Sequence, residues 1–182
     1  IRSQHLCRSG GTGRRARLKL VCLRACGFDS HLRYKLFFVI SKQKKYDLTY
    51  LKMAKVWGEL SKCHRKKVGA LIVKDGMIIS DGFNGTPTGF DNSCEDEEGY
   101  TKWYVLHAEA NAILKVAKST NSCEGASLYL TLSPCKECAK LIHQSGIKRV
   151  IYMNEYKDIS GIKFLKKAKI EVHQIKPSEV EE

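Results

Sequence analysis

Two short stretches carry residues that could do chemistry together. His107 and Glu109 stand two apart in "LHAEANAIL", and Cys135 and Cys138 stand three apart in "SPCKEC". A separation of three puts both sulfurs on one side of a helix's first turn. A helix N-terminus, with its free N–H groups, favours thiolate, the form that binds a metal. Two thiolates and one imidazole suit zinc and leave a fourth tetrahedral position for water. His107 is the natural third ligand. A carboxylate beside such a water is placed to take and give protons, and Glu109 is the carboxylate at hand.

The spacing of two is awkward in mid-helix, where side chains at i and i+2 diverge. It works if His107 lies at or before the N-cap with non-helical dihedrals. Both side chains then reach the space beyond the helix end, and all three ligands converge where two helix N-termini meet. Neither half is specific alone. An isolated H-x-E arises by chance, and C-x-x-C also serves redox pairs and structural zinc. In this order, each opening a helix, H-x-E followed by P-C-x-x-C is the pattern of zinc-dependent nucleobase deaminases. The competing reading is a closed structural zinc with Cys63, Cys94 or Cys123 as fourth ligand; it leaves Glu109 idle.

The elements that must position these residues are legible from pattern. "KKYDLTYLKMAKVWGELSKC" reads as a first helix with Asp47 as N-cap. "VGALIVKDGMIISDG" reads as a hairpin around Asp75-Gly76. The loop "GFNGTPTGFDN" and the acidic linker "CEDEEGY" follow, then the helix "AEANAILKVAKS" and the strand "ASLYLTL". "SPCKECAKLIHQSG" reads as a helix capped by Ser133 and ended by Gly146. "KRVIYM", "GIKFLKKAKI" and "EVHQI" read as strand, short helix and strand. "KFLKKAK" is the solvated face of that helix rather than a nucleic-acid patch. Alternating strands and helices imply an α/β sheet covered on both faces, with the hairpin as its one antiparallel pair.

The charge is split along the chain. Of a net +13, residues 1–45 hold 12 Lys and Arg against one acid, and residues 46–182 hold 20 against 18 acids. Seven of nine arginines fall within the first 33 residues. We read 1–45 as a basic extension, disordered or an upstream read-through from a mis-called start, since "CGFDSHLRY" matches one frame of a transfer-RNA T-arm. Residues 46–176 form one domain and 177–182 a tail. No apolar run reaches membrane-spanning length and no stretch reads as a secretory signal, so the expectation is a cytoplasmic protein with reduced, metal-binding cysteines. Cys123 reads as a loop thiol, and His64, His143 and His173 as ordinary surface or half-buried histidines.

Residues 46–176 resemble the cytidine/deoxycytidylate deaminase superfamily and, within it, the deoxycytidylate deaminases. The resemblance rests on "VGALIV", "GFNGTPTG", "HAEANAI", "LYLTLSPCKECAKLI" and "SGIKRVIY". It implies a three-layer α/β/α fold around a mixed sheet of about five strands, matching the count from pattern. It implies conversion of dCMP and water to dUMP and ammonia. His107, Cys135 and Cys138 would hold zinc, and Glu109 would carry protons from water to N3 of the ring and to the departing amine. Asn84 and Tyr156 would contact substrate; a turn-forming Asn and an ordinary half-buried Tyr are the bland alternatives. Some relatives bind a second, structural zinc through cysteines placed like Cys63 and Cys94. The short segment before His107 lacks the residues that complete it, so one zinc is expected. The resemblance also implies a homo-oligomer, a hexamer in many relatives, with dCTP and dTTP regulation. Deamination of another cytosine or adenine substrate, free or in tRNA, and a non-catalytic zinc-stabilised RNA-binding protein are the alternatives. The core's charge of +2 argues against an RNA substrate.

Overall fold

The computed structural model describes the backbone of residues 30–181 and the side chains of residues 42–180. Most of the basic extension, including the tRNA-like stretch up to residue 29, lies outside the described residues. Residues Lys44–Glu182 form a compact unit. The elements run α1 (Ser30–Gly58), β1 (Gly69–Lys74), β2 (Met77–Phe83), α2 (Ala108–Ala117), β3 (Ser127–Leu132), α3 (Lys136–Gln144), β4 (Arg149–Asn154), α4 (Ser160–Lys167), β5 (Glu171–Gln174) and α5 (Pro177–Glu181). The stretch 177–182, expected as a tail, thus begins with a short helix.

The five strands form one mixed sheet in the order β2-β1-β3-β4-β5. β1 and β2 are a hairpin whose turn residues Asp75 and Gly76 both have positive φ, 50° and 77°, as a tight primed turn needs. β3, β4 and β5 are parallel. The sheet departs from the expected single antiparallel pair, because β1 also lies antiparallel to β3. The hairpin therefore joins the sheet through its first strand, and β2 becomes an edge.

Alternation along the strands divides the core in two. Ala70, Ile72, Leu128, Leu130, Val150 and Tyr152 face one side and pack with Ala112 of α2, Ile142 of α3 and Leu165 of α4. Leu71, Val73, Tyr129, Ile151 and Met153 face the other and pack with Leu51 and Ala54 of α1 and Val180 of α5. Burial on both faces explains the near-continuous apolar strands. The result is the three-layer α/β/α arrangement expected from the sequence.

Asp47 is not an N-cap. α1 begins at Ser30, no Gly or Pro interrupts the chain from there to Asp47, and Asp47 sits in the helix interior, 4% exposed. Its carboxylate accepts two bonds from the Arg149 guanidinium of β4, at 2.8 and 2.7 Å, and one from the Tyr129 hydroxyl of β3 at 2.8 Å. This fork-to-fork pair ties α1 to the middle of the sheet.

Two glycines set how closely the site-bearing segments approach their supports. A Cβ on Gly82 of β2 would lie 2.2 Å from the Ala108 carbonyl oxygen and 2.8 Å from the Ala112 nitrogen, inside α2. A Cβ on Gly161 of α4 would lie 2.2 Å from the Pro134 carbonyl oxygen and 2.8 Å from that of Cys135. Both neighbours are backbone, which yields only by moving the whole element.

Asp47→Ala is expected to destabilise the protein by about 3 kcal/mol, because it takes both fork bonds from the shielded Arg149 guanidinium and leaves it the exposed Glu171. Tyr129→Phe, which removes one bond, should cost about 1 kcal/mol. Urea unfolding of the two variants checks the ranking. Gly82→Ala should displace the start of α2 and lower the zinc retained per purified chain, read by atomic absorption.

Candidate active site

The sheet topology gathers distant segments at one end. Because β1 is antiparallel to β2 and β3, its start lies beside their ends: Gly69 pairs with Phe83, and Ala70 with Leu130. β4 is parallel to β3, so its end lies there too. The residues just beyond these strand ends line one cavity of about 450 Å³: Arg65, Lys66 and Val68 before β1, Asn84 after β2, Ser133 and Cys135 after β3, and Tyr156 and Lys157 after β4. His107, Ala108 and Glu109, entering α2, complete that wall.

His107 is the N-cap of α2, with φ −74° and ψ 155°. That extended backbone answers the spacing problem, since it frees His107 from helical geometry while Glu109 sits in the first turn. Cys135 is the N-cap of α3, and its sulfur accepts the Cys138 backbone N–H at 3.5 Å. The expected cap, Ser133, lies too early; its hydroxyl instead accepts the Tyr156 backbone N–H at 2.8 Å. A thiolate can thus replace the usual hydroxyl as cap, and the cap itself becomes a ligand.

The three ligand atoms meet. The Nδ1 atom of His107 lies 3.3 Å from Cys138 Sγ and 3.6 Å from Cys135 Sγ, and all three lie within 4.8 Å of one another. Two sulfurs and one imidazole nitrogen, borne by two helix starts, fit zinc with an open fourth position. Among the described residues no fourth His, Cys, Asp or Glu joins this group.

Electrostatics favour a divalent cation. Cys135 is lowered to about 3, first by the hydrogen bond from the Cys138 thiol and then by His107. Cys138 is pushed the opposite way, by that same bond and by burial. Binding of a dication requires both sulfurs as thiolates, so it would release the proton that Cys138 holds. His107 is raised by its bond to Cys135, against burial. Glu109 is raised by burial, being 4% exposed, although His107 beside it acts the other way. A carboxyl pushed up by burial and lying at the cavity wall is suited to hold a proton in transit.

Asn84 and Tyr156 both line the cavity. The Asn84 carboxamide is also engaged in the scaffold: its oxygen accepts the Val68 N–H at 2.8 Å and its nitrogen donates to the Lys66 carbonyl at 2.8 Å. Tyr156 has the Lys66 ammonium 5.8 Å from its ring centre. Sequence reading passed over Arg65, Lys66, Lys157, Glu95 and Thr101, which line the same cavity. The available signal was position: the "HRKK" run directly precedes β1, and Lys157 follows β4 in "NEYKD".

Two of the remaining cysteines are placed differently from expectation. Cys63 and Cys94 form a disulfide, so they are neither reduced nor ligands of the histidine-containing trio. Cys123 lies in the loop before β3, as expected, and is buried there, 5% exposed, within the core cluster. His64, His143 and His173 are at the surface.

A family model described as the cytidine and deoxycytidylate deaminase zinc-binding region matches residues 44–154. The deoxycytidylate deaminase of Enterobacteria phage T4 is 36% identical, over 59% of this chain and 77% of the relative. That of Homo sapiens is 39% identical, over 58% of this chain and 63% of the relative. The crystal structure of dCMP deaminase from cyanophage S-TIM5 in complex with dCMP and dUMP superposes with a TM-score of 0.71 at 46% identity, covering 72% of this chain and 97% of that one. With its ligand trio, its buried Glu109 and the match across both zinc-binding segments, the chain belongs to the zinc-dependent cytidine and deoxycytidylate deaminase family.

Proposed function

We propose that this chain hydrolyses dCMP to dUMP and ammonia. One observation carries the reading: the buried Glu109 and the His107–Cys135–Cys138 group share a cavity with three cationic side chains, Arg65, Lys66 and Lys157. The first set suits attack on an amino-bearing ring. The second suits a phosphate, which a free nucleoside lacks. The similarity to the phage and human enzymes and to the S-TIM5 structure supports the same substrate.

Zinc, when held by His107, Cys135 and Cys138, supplies a Lewis acid that makes water a nucleophile at neutral pH. Glu109 takes one proton from the attacking water and gives it to ring N3, which keeps negative charge from accumulating on the pyrimidine. It then moves the second proton from the new C4 hydroxyl to the departing amine. Burial raises its proton affinity, which suits a group that must accept a proton as well as give one. Arg65, Lys66 and Lys157 hold the phosphate, Tyr156 borders the nucleotide, and Asn84 contacts it while keeping the 66–68 backbone in place.

No helix among the described residues is long and apolar enough to cross a membrane. A nucleotide substrate supports action in the cytoplasm, where a disulfide such as Cys63–Cys94 is uncommon. The homo-oligomer implied by the resemblance gains support from Met53 and Val56, one turn apart on α1 and 43% and 68% exposed. A hexamer and regulation by dCTP and dTTP rest on the resemblance.

An ammonia-release assay with dCMP, CMP, deoxycytidine and an RNA stem-loop should give turnover on dCMP first; turnover on the stem-loop alone would reject the reading. Glu109→Gln should keep about one zinc per chain and lower kcat by at least about 10³-fold. Arg65→Ala should raise KM for dCMP about tenfold or more while barely changing the weak use of deoxycytidine.

A further inference from the structure

The Cys63–Cys94 disulfide joins two irregular segments, the one between α1 and β1 and the long one between β2 and α2. Cys63 itself lines the cavity, two residues before Arg65 and three before Lys66. Both half-cystines are buried, at 2% and 0% exposure. Next to Cys94, the Glu95 carboxylate accepts the backbone N–H groups of His64 and Arg65, each at 3.2 Å. The Arg65 guanidinium donates to the Thr101 hydroxyl at 3.3 Å, and Glu95 and Thr101 are themselves bridged. The Lys102 N–H returns to the Cys94 carbonyl at 2.8 Å.

These bonds form one clamp. Neither segment belongs to a strand or helix; Asn84 ties them once, at Lys66 and Val68, and the disulfide ties them again beside Arg65. Long cationic side chains such as Arg65 and Lys66 lose rotamer freedom on binding an anion unless their backbone is already held. The covalent link joins the two segments where the Glu95 and Thr101 contacts cross between them. His107, Cys135 and Cys138 are held separately, by the starts of α2 and α3.

We infer that the Cys63–Cys94 disulfide is a positioning clamp that holds Arg65 and Lys66 for the substrate's phosphate, so that opening it weakens phosphate recognition and leaves the chemical step intact. The inference rests on the nucleotide reading above. Opening is a two-electron reduction. The S–S bond breaks, two protons complete two thiols, and the reductant is oxidised. A cellular dithiol would end as its own disulfide. A phosphine would end as its oxide, with oxygen from water. Recognition of substrate by this chain thereby follows the thiol–disulfide balance around it.

The test uses the zinc-loaded full chain in three forms: oxidised, reduced with a water-soluble phosphine, and Cys63→Ala/Cys94→Ala. Steady-state kinetics on dCMP, calorimetric titration of inorganic phosphate, zinc content and a non-reducing peptide map are read on each. The oxidised form should yield the Cys63–Cys94 cross-linked peptide. On reduction, KM for dCMP and the Kd for phosphate should both rise about fivefold, the size of one weakened charged contact, with kcat and zinc content unchanged. The double variant should match the reduced form and ignore the phosphine. Three results would overturn the clamp: unchanged KM and phosphate Kd on reduction, kcat falling together with KM, or two zincs per chain with the second lost in the double variant. If dCMP is not turned over but phosphate affinity still follows the disulfide, the nucleotide-deaminase reading fails and the clamp stands.

Discussion

The site depends on one constraint: α2 and α3 must begin at the same point in space, His107 capping one and Cys135 the other. Helix starts carry unpaired N–H groups and a partial positive charge, so two of them side by side hold anionic sulfur well. Such a meeting is costly to arrange and easily lost. It is secured from behind by close backbone approach. Gly82 lets β2 touch α2, and Gly161 lets α4 touch the Pro134–Cys135 turn. A further tie comes from Asn111, whose carboxamide donates to the Phe83 carbonyl at 2.7 Å and fastens α2 to the end of β2.

Much of this was legible in the sequence because chemistry and helix geometry constrain each other. The pair His107 and Glu109 makes sense only if His107 stands outside the helix, and its ψ of 155° places it there. Strands buried on both faces announced themselves as apolar runs. What sequence pattern missed was mostly non-local. Asp47 has the residue type of a cap, but its partner Arg149 lies on β4, and only tertiary contact makes a buried mid-helix carboxylate stable. Ser133 looked like a cap because hydroxyls are the usual caps; nothing local says that a cysteine two residues later takes that role.

The cationic lining of the cavity was hidden for a related reason. Counted along the chain, the core is almost neutral, and a three-residue basic run before a strand reads as solvated surface. The antiparallel entry of β1 turns that run toward the ends of β2, β3 and β4, where it becomes local charge at a binding site. Charge averaged over a domain is a poor guide to charge at one sheet end. The same topology separates labour. Helix starts carry the candidate metal and acid/base groups, and the segments before β1 and after β4 carry the cations that line the cavity.

The Asp47–Arg149 pair spans 102 positions, whereas His107 and Cys138 are 31 apart. Loop closure over the longer span must be met before the contact rewards it. During synthesis, the ribosome releases Asp47 long before Arg149 exists to receive it. The first helix can meet the hairpin early, through the Tyr50 bond to the Gly76 carbonyl and the Trp57 bond to Asp81, but its buried carboxylate waits for the fourth strand. The buried charge in the layer that covers the sheet's second face is therefore neutralised only after β4 has been made.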